Sequence, residues 1–457
     1  MVTNYASRIT YHVKIMTQSK TAQFTSPAFA RDIVLSPTLR INERVKALWA
    51  AGETVYHFGF GESRFPVHPK LQAALAANAH HKGYLPVQGL AALREAIAAY
   101  DGRIHHTPIS PDQVIVGPGS KALIYALQMA LAGDLLLPTP SWVSYAPQAK
   151  LLGKRVHFVR GTAVNGYQLT IEALDEAARQ AQSDTKILLI NSPNNPAGYM
   201  FAPEFLQELA DYCRQNRIVV ISDEIYARVG HGFQPHVSLA EFYPEGTIVV
   251  GGLSKHLSLG GWRLGKAVIP KEQPALMPAL RTIASEIWST ATGPVQYTAV
   301  TAYSNDPEIE AYITECSQIH ATRTQHIWGL FDELGMTCPQ PQGGFYLIPN
   351  FDRWREPLAR RGVPTSEALA HYLLERYHIA SLPGTAFGVP SEELSLRIAT
   401  SYVDMETDEA AANVLTAWRQ TPDKDEFMAQ HQPQMTRALE QFRKFISDLE
   451  TADGNGF

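Results

Sequence analysis

The residues best suited to chemistry follow three short apolar runs, at the points where those runs end. Residues 191–198 (N-S-P-N-N-P-A-G) follow one run, residues 222–226 (S-D-E-I-Y) end the next, and Lys255 follows a third. Arg263, in G-W-R-L-G, comes eight residues after Lys255. Ligands of an open α/β sheet bind just beyond the carboxyl ends of its strands. A lysine after a strand or an N-P pair is individually weak evidence, so the order and spacing of the groups carry the prediction.

The elements that must position these residues are short apolar runs alternating with helical patterns. Five runs indicate strands buried on both faces, at 112–117, 134–138, 186–192, 217–223 and 247–254. Helical periodicity covers much of 66–99, with a turn at 81–86, and 204–215. This alternation predicts an α/β domain whose sheet is mostly parallel and lies between helices.

The chain beyond about residue 305 has a different texture. Residues 343–348 and 395–399 resemble strands among helices, which predicts a second, smaller α+β domain. Residues 419–433 are polar and are interpreted as an insertion before the last helix. A length of 457 residues also favours two or three domains over one core.

Composition excludes several classes of protein. The chain is 45% hydrophobic and 18% charged, which is typical of a globular protein. A net charge of −5 and the lack of a basic stripe argue against a nucleic-acid partner. No apolar run is long enough to span a membrane. Cys213, Cys316 and Cys338 are too far apart to indicate a disulfide framework or a zinc site, and no metal site is predicted.

The N-terminal 31 residues contain no acidic residue. This composition fits an organelle transit peptide, but a start at Met16 or a mobile arm over residues 1–30 is preferred. A cytoplasmic location is therefore expected, with organelle targeting as the alternative.

The motifs N-N-P-x-G, S-D-E-I-Y and S-K-x(7)-R-x-G, in this order, resemble those of the class I/II aminotransferases. These belong to the fold-type I superfamily of pyridoxal 5′-phosphate (PLP) enzymes, the aspartate-aminotransferase-like superfamily. The likeness runs from about Arg40 to Tyr402. It implies a large PLP-binding domain at 62–304, a small domain formed by 31–61 with 305–457, and a homodimer.

The resemblance assigns the catalytic groups residue by residue. Lys255 matches the Schiff-base lysine, which also moves the proton once substrate has displaced it. Asp223 matches the carboxylate that pairs with the pyridine nitrogen and keeps the ring an electron sink. Tyr226 and Asn195 match the groups that hydrogen-bond the 3′ oxygen of the cofactor.

The resemblance also implies a phosphate site at a helix start, where backbone amides and a cation are needed. The matching residues are Gly119, Ser120, Lys121, Ser254 and Arg263. The family often has a serine where this chain has Gly252, so one phosphate contact is expected to be absent or replaced by Lys121. Tyr84 matches a tyrosine that reaches the phosphate of the other subunit, which implies active sites shared across the dimer.

The substrate is expected to meet Gly61, Trp142, Asn195 and Arg397. Trp142 matches the aromatic residue that stacks on the cofactor ring. Arg397 matches the arginine that binds the α-carboxylate through a two-bond fork, with a structural salt bridge as the alternative. The common G-E-P-D-F is G-E-S-R-F at 61–65, where Arg64 is interpreted as a solvated surface residue rather than a ligand for acidic substrates.

The implied activity is transfer of an amino group from an L-amino acid to a 2-oxo acid by a ping-pong route. A lyase, synthase or oxidase of the same fold is the main alternative, because the PLP-binding residues are common to all of them. A PLP-sensing DNA-binding regulator is a weaker alternative, since about 30 residues before the fold are too few for a helix-turn-helix domain. A catalytically dead scaffold is disfavoured, since only the position of Gly252 departs among the cofactor residues.

Overall fold

The structure is a computed structural model that describes residues 36–451. The predicted N-terminal arm, residues 1–30, and its transit-peptide alternative lie outside these residues. Between residues 36 and 451, no helix is both long and apolar enough to cross a membrane. The division into a large domain at 62–304 and a small domain stays a prediction.

The helices of the described residues account for most of the secondary structure. In chain order they are α1 (Pro37–Ala50), α2 (Pro69–Asn78), α3 (Ala91–Ile104), α4 (Ser120–Ala130), α5 (Tyr145–Leu151), α6 (Ile171–Gln180), α7 (Pro203–Gln215), α8 (Leu276–Ile287), α9 (Gly293–Ala302), α10 (Pro307–Glu333), α11 (Arg355–Arg360), α12 (Ser366–Tyr377), α13 (Asp408–Gln420), α14 (Lys424–His431) and α15 (Pro433–Thr451).

The strands are short and most of them are buried. They are β1 (Tyr56–His57), β2 (Val114–Gly117), β3 (Asp134–Thr139), β4 (Val156–Arg160), β5 (Lys186–Asn191), β6 (Ile218–Asp223), β7 (Thr247–Gly252), β8 (Gly265–Val268), β9 (Tyr346–Leu347), β10 (Ile379–Ala380), β11 (Leu382–Pro383) and β12 (Leu396–Ala399).

The main sheet has seven strands in the order β2-β8-β7-β6-β5-β3-β4. Its neighbouring strands pair in parallel except where β8 pairs with β7 and β2. The predicted α/β fold with a mostly parallel mixed sheet is therefore confirmed. Sequence reasoning missed β4, which is an edge strand with exposed residues, and β8, which begins with glycine and lysine. Neither has the continuous apolar run typical of a central parallel strand.

Helices cover both faces of this sheet because side chains alternate along each strand. On β5, Leu188 and Ile190 pack in one apolar cluster with residues of α6 and α7. Ile187 and Leu189 face the other way and pack with residues of α4, α5 and α8. In α7 the buried residues recur at helical spacing, so its apolar stripe faces the sheet.

A second group of strands lies among the C-terminal helices. Strands β11, β12 and β9 form an antiparallel sheet, and β1 pairs in parallel with β10. Phe442 of α15 packs against Phe58 and Phe331, with ring centroids 6.1 and 5.2 Å apart. These contacts join α10 and α15 to the segment that follows β1.

The interpretation of residues 419–433 as a polar insertion is wrong in one respect. The segment contains α14, whose Phe427 and Met428 are fully buried, while Lys424 and Asp425 are exposed. The Phe427 ring packs edge-on against Trp418, with centroids 5.1 Å apart. Two apolar residues in a polar run are enough to anchor a short helix, and their signal is weak in sequence.

Replacing Phe427 by alanine tests this correction. Phe427→Ala should lower the free energy of unfolding by about 3–5 kcal/mol, because it removes a buried aromatic ring and leaves a cavity. Lys424→Ala, an exposed change in the same helix, should stay within about 0.5 kcal/mol. Chemical denaturation of both variants measures the difference. Equal, small losses would show that α14 does not belong to the core.

Candidate active site

A cavity of about 310 Å³ lies at the carboxyl ends of β5, β6 and β7 and at the start of α4. Its volume falls within the range of small-molecule sites. Most of the residues predicted for the site line this cavity: Gly61, Ser120, Lys121, Trp142, Asn195, Asp223, Tyr226, Ser254, Lys255, Arg263 and Arg397. The fold thus brings together residues that are far apart in sequence.

Two predicted residues do not line the cavity. Gly119 is next to Ser120 and precedes α4, with a positive φ of 94°. Tyr84 lies in the segment between α2 and α3, and it is 91% exposed. A single chain therefore does not place Tyr84 with the other predicted residues.

Strand pairing places the polar residues that follow β5 and β6. Asn191 and Asp223, the last residues of these strands, are partners in the parallel register. The side-chain amide of Asn191 donates a hydrogen bond to the backbone oxygen of Asp223 (2.8 Å), and its Oδ1 accepts one from the backbone N–H of Asn195 (2.8 Å). Asn195 Oδ1 is buried and has no hydrogen-bond partner in the described residues.

The Asp223 carboxyl group is fully buried beneath the cavity. It accepts a hydrogen bond from the Tyr145 hydroxyl (2.6 Å) and another from the backbone N–H of Ile225 (3.2 Å). Burial raises the pKa of Asp223 to about 6, although these hydrogen bonds oppose the shift. A nearby cation would favour the ionised carboxylate in this environment.

Lys255 and Arg397 are both held by backbone oxygens of the segment after β1. Lys255 Nζ donates to the oxygen of Gly61 (3.0 Å), and Arg397 Nη2 donates to that of Gly59 (2.6 Å). This segment lies very close to Tyr346: a Cβ atom on Gly61 would be 2.2 Å from the Tyr346 hydroxyl. Gly61 therefore allows a contact that no other residue type permits.

Tyr346 is a cavity residue that sequence reasoning did not select. Its hydroxyl lies 2.7 Å from that of Tyr226 and donates to the oxygen of Gly61 (3.3 Å). Burial is the main cause that raises the pKa of Tyr226 well above its usual value. Tyr346 lies in a run of apolar and glycine residues, so its sequence context indicates a strand and carries no sign of chemistry.

Glycine residues allow the start of α4 to pack closely against the segment that leads into β8. A Cβ on Gly119 would lie 2.4 Å from the Arg263 guanidinium, and one on Gly265 would lie 2.4 Å from the backbone N of Ser120. Arg263 has a positive φ of 53° and donates to the backbone oxygens of Gly260 (2.8 Å) and Pro118 (3.2 Å). The amides at a helix start and a neighbouring guanidinium form an anion-binding arrangement.

Gly252 has a structural reason to lack a side chain. It pairs with Gly265 between β7 and β8, and a Cβ there would lie 2.7 Å from the backbone oxygen of Leu264. Lys121 lies in the wall of the cavity, with Nζ 5.1 Å from the centre of the Trp142 ring. Burial and the charge of Arg263 lower the pKa of Lys121.

Arg397 is buried, yet it has no carboxylate partner. Within residues 36–451 no acidic side chain lies within 4.0 Å of its guanidinium, and its Nε has no hydrogen-bond partner. The guanidinium carbon lies 5.0 Å from the Tyr346 ring centre and 5.2 Å from that of Phe387. The alternative of a structural salt bridge is therefore absent from the described part of the chain.

Arg64 is not the solvated surface residue expected from the sequence. Its side chain is 22% exposed, pairs with Asp408 (2.8 Å) and lies over the Tyr402 ring at 5.5 Å. It does not line the cavity. The preceding Ser63 contacts His320 Nε2 at 2.9 Å, so both residues hold the segment that carries Gly61.

Comparisons with known proteins agree with this geometry. Residues 53–415 match the family model for aminotransferase class I and II. An aspartate aminotransferase of Geobacillus stearothermophilus is 37% identical over 384 residues, which cover 81% of this chain and 94% of that protein. One from Bacillus subtilis is 34% identical over 375 residues, covering 80% of this chain and 92% of that protein. The solved aspartate aminotransferase of Thermotoga maritima superposes with a TM-score of 0.75 at 26% identity, covering 92% of this chain and 100% of the other.

The fold and the cavity at its strand ends define a PLP-dependent enzyme of fold type I. Within that class, the chain belongs to the class I and II aminotransferase family. It is a transferase that uses PLP to exchange an amino group between an amino acid and a 2-oxo acid. The family match thus supports transamination over the lyase, synthase or oxidase alternatives.

The buried Asp223 generates a prediction for the cofactor-free protein. The folded-state pKa of about 6 exceeds the usual value, so ionisation costs folding free energy as pH rises from about 4 to 6. Asp223→Asn keeps an acceptor for Tyr145 without the charge. It should therefore raise the free energy of unfolding at pH 8 by up to about 3 kcal/mol and lose this advantage near pH 4.

Denaturation at the two pH values measures the effect, with the exposed Asp332→Asn as the matched control. A variant less stable than wild type at pH 8 would contradict the assigned direction of the pKa shift.

Proposed function

We propose that this aminotransferase uses an acidic L-amino acid, with L-aspartate first, as its amino donor. The observation that carries the proposal is the similarity to several proteins that are named aspartate aminotransferases. The cavity is also lined by four cations, Lys121, Lys255, Arg263 and Arg397, which suit anionic ligands.

The residues around the cavity fit PLP. The backbone N–H groups at the start of α4, with Gly119, Ser120, Lys121, Ser254 and Arg263, would hold the phosphate. Asp223 would pair with the protonated pyridine nitrogen. The positive charge of that nitrogen would offset the cost of burying the Asp223 carboxylate. Asn195 and Tyr226 would hydrogen-bond the ring oxygen, while Trp142 would stack on the ring. Asn195 would donate to that oxygen through its amide nitrogen, because its unpaired Oδ1 can only accept. The fit is supported by the close approach at the start of α4, where a Cβ on Gly119 would lie 2.4 Å from the Arg263 guanidinium.

PLP, when bound, supplies an electrophilic carbon and a ring that accepts the electron pair released at the substrate Cα. Lys255 would hold the cofactor covalently and then move the proton from the substrate Cα. Its position beside the Gly61 oxygen keeps the amine at the cavity wall, between the Tyr226 and Phe345 rings at 5.6 and 5.7 Å.

Arg397 would bind the substrate α-carboxylate, with Gly61, Trp142 and Asn195 forming the adjacent walls. Its unpaired Nε supports this role, because a buried guanidinium needs an anionic partner. We also propose a homodimer, in which the exposed Tyr84 of one subunit would reach the phosphate site of the other. The 91% exposure of Tyr84 leaves its side chain accessible for such a contact.

A donor comparison tests the proposed function. Purified PLP-loaded enzyme should convert L-aspartate with a kcat/KM at least about tenfold above that for L-alanine, equivalent to 1.4 kcal/mol. The measurements are loss of cofactor absorbance in the half-reaction, 2-oxo acid formed and ammonia released. Lys255→Ala is the inactive control. Release of ammonia, or a preference for L-alanine, would contradict the proposal.

The role of Arg397 is tested by Arg397→Lys, which keeps the charge but loses the planar two-bond geometry. The change should cost about 2–4 kcal/mol in kcat/KM, which is roughly 30- to 1000-fold. Losses should be similar for all amino acids, because all carry the α-carboxylate, and absent for amines without it. Melting temperature and PLP content should change little. An early-melting variant with normal kcat/KM would instead make Arg397 a structural residue.

A further inference from the structure

We propose that His105, Glu224 and His236 form a site for a divalent transition-metal ion, with Zn²⁺ as the expected ion. His105 directly follows α3, Glu224 directly follows β6, and His236 lies in the segment between β6 and β7. One ligand atom from each residue lies within 4.8 Å of the others. Two imidazoles and one carboxylate are a common zinc ligand set. Sequence reasoning predicted no metal site, because these residues are far apart in the chain.

The three side chains are buried, and each has at least one polar atom without the hydrogen-bond partner that buried polar groups normally have in the described residues. Their exposed fractions are 8%, 3% and 5% in the order His105, Glu224, His236. Within residues 36–451, Glu224 Oε2 and His105 Nδ1 have no hydrogen bond. Neither ring nitrogen of His236 makes one of normal geometry, although the main chain of Ser192 lies beside the ring. A metal-binding histidine often directs its second nitrogen at a main-chain oxygen.

The carboxylate of Glu224 is oriented with one oxygen anchored and the other available. Oε1 accepts hydrogen bonds from the hydroxyls of Ser222 (2.9 Å) and Ser238 (2.6 Å). Oε2 points between the two imidazoles, 3.8 Å from His105 Nε2 and 3.9 Å from His236 Nε2. Anchoring of this kind orients a metal ligand from its outer side.

These two separations suit coordination better than the alternatives. They are too long for direct N–H···O hydrogen bonds. They are also shorter than the roughly 4.5 Å that two hydrogen bonds through a tetrahedral water would span. Ligands at 2.0–2.1 Å from a tetrahedral ion lie about 3.4 Å apart. The two carboxylate–histidine separations would therefore shorten by about 0.5 Å on binding, and the separation of the two histidine nitrogens, which is within 4.8 Å, by up to about 1.4 Å.

The surroundings tolerate a cation. The two nearby cations are already paired, Lys266 with Asp101 and Arg228 with Glu310.

Room for a fourth ligand exists on one side of the cluster. A cavity of about 40 Å³ is lined by His105 and Glu224, and it is separate from the cavity that holds Lys255. This volume accommodates a water molecule beside the ion. Glu224 follows Asp223 directly, so a bound ion would tie the end of α3 and the segment after β6 to the turn that carries Asp223.

Zinc binding by the PLP-loaded full-length protein tests the proposal. Metal-stripped protein is titrated with ZnCl₂ by calorimetry, and with CoCl₂ to detect the visible bands of a four-coordinate ion. We expect one ion per chain. Glu224→Gln keeps the acceptor for Ser222 and Ser238 but removes the charge, and it should weaken binding at least about 100-fold, as should His236→Leu.

Two further variants serve as controls, one for loss of folding and one for binding at exposed histidines. His236→Cys should retain most of the affinity, because a thiolate is also a zinc ligand. His371→Gln, on the exposed face of α12, should leave binding unchanged and so excludes adventitious surface sites. Zinc binding that is equal in wild type and Glu224→Gln, or absent from wild type at micromolar protein, would overturn the proposal. The readout is metal binding, so it does not depend on the proposed substrate.

Discussion

The parallel pairing of β5, β6 and β7 is the constraint on which the site depends. Backbone hydrogen bonds hold neighbouring strands about 4.8 Å apart, so the residues that end them must meet at one edge. Asn191 is paired with Asp223 in this register. Because side chains alternate, Asp223 faces the larger cavity while its neighbour Glu224 faces a separate one. A slip of one residue would turn the Asp223 side chain to the opposite face of the sheet and remove its carboxylate from the larger cavity.

A second interaction connects the C-terminal strands to that edge. Backbone oxygens of Gly59 and Gly61 accept hydrogen bonds from Arg397 and Lys255, which come from different sheets. The segment is held at its far end by Ser63 and Arg64, through His320 and Asp408. In G-E-S-R-F, the serine and arginine that stand where proline and aspartate are more common therefore make structural contacts of their own.

Several buried polar atoms have no hydrogen-bond partner in the described residues, and each of them lowers the stability of the fold. Asn195 Oδ1, Arg397 Nε and Glu224 Oε2 are all of this kind within the described residues. Leaving such an atom unsatisfied costs about 1–3 kcal/mol. Asn195 and Arg397 line one cavity and Glu224 lines the other, so each cost falls where a ligand would recover it. Other buried atoms of this kind, such as Gln128 Oε1 and Arg323 Nε, belong to residues outside both cavities, so ligands in the two cavities would recover only part of the total cost.

The sequence by itself determined the fold class and five strands of the main sheet, β2, β3, β5, β6 and β7, because short apolar runs encode them directly. It also indicated most residues of the cavity, through short motifs that resemble those of a known family. It did not determine β4, β8 or α14, whose burial depends on neighbours that are distant in the chain. Tyr346 and the His105–Glu224–His236 cluster were also decided only by the tertiary structure. Their residues are unremarkable in their own segments and acquire a chemical setting only when separate strands and loops meet. The packing of those segments, and not any local pattern, places the side chains within a few ångströms of one another.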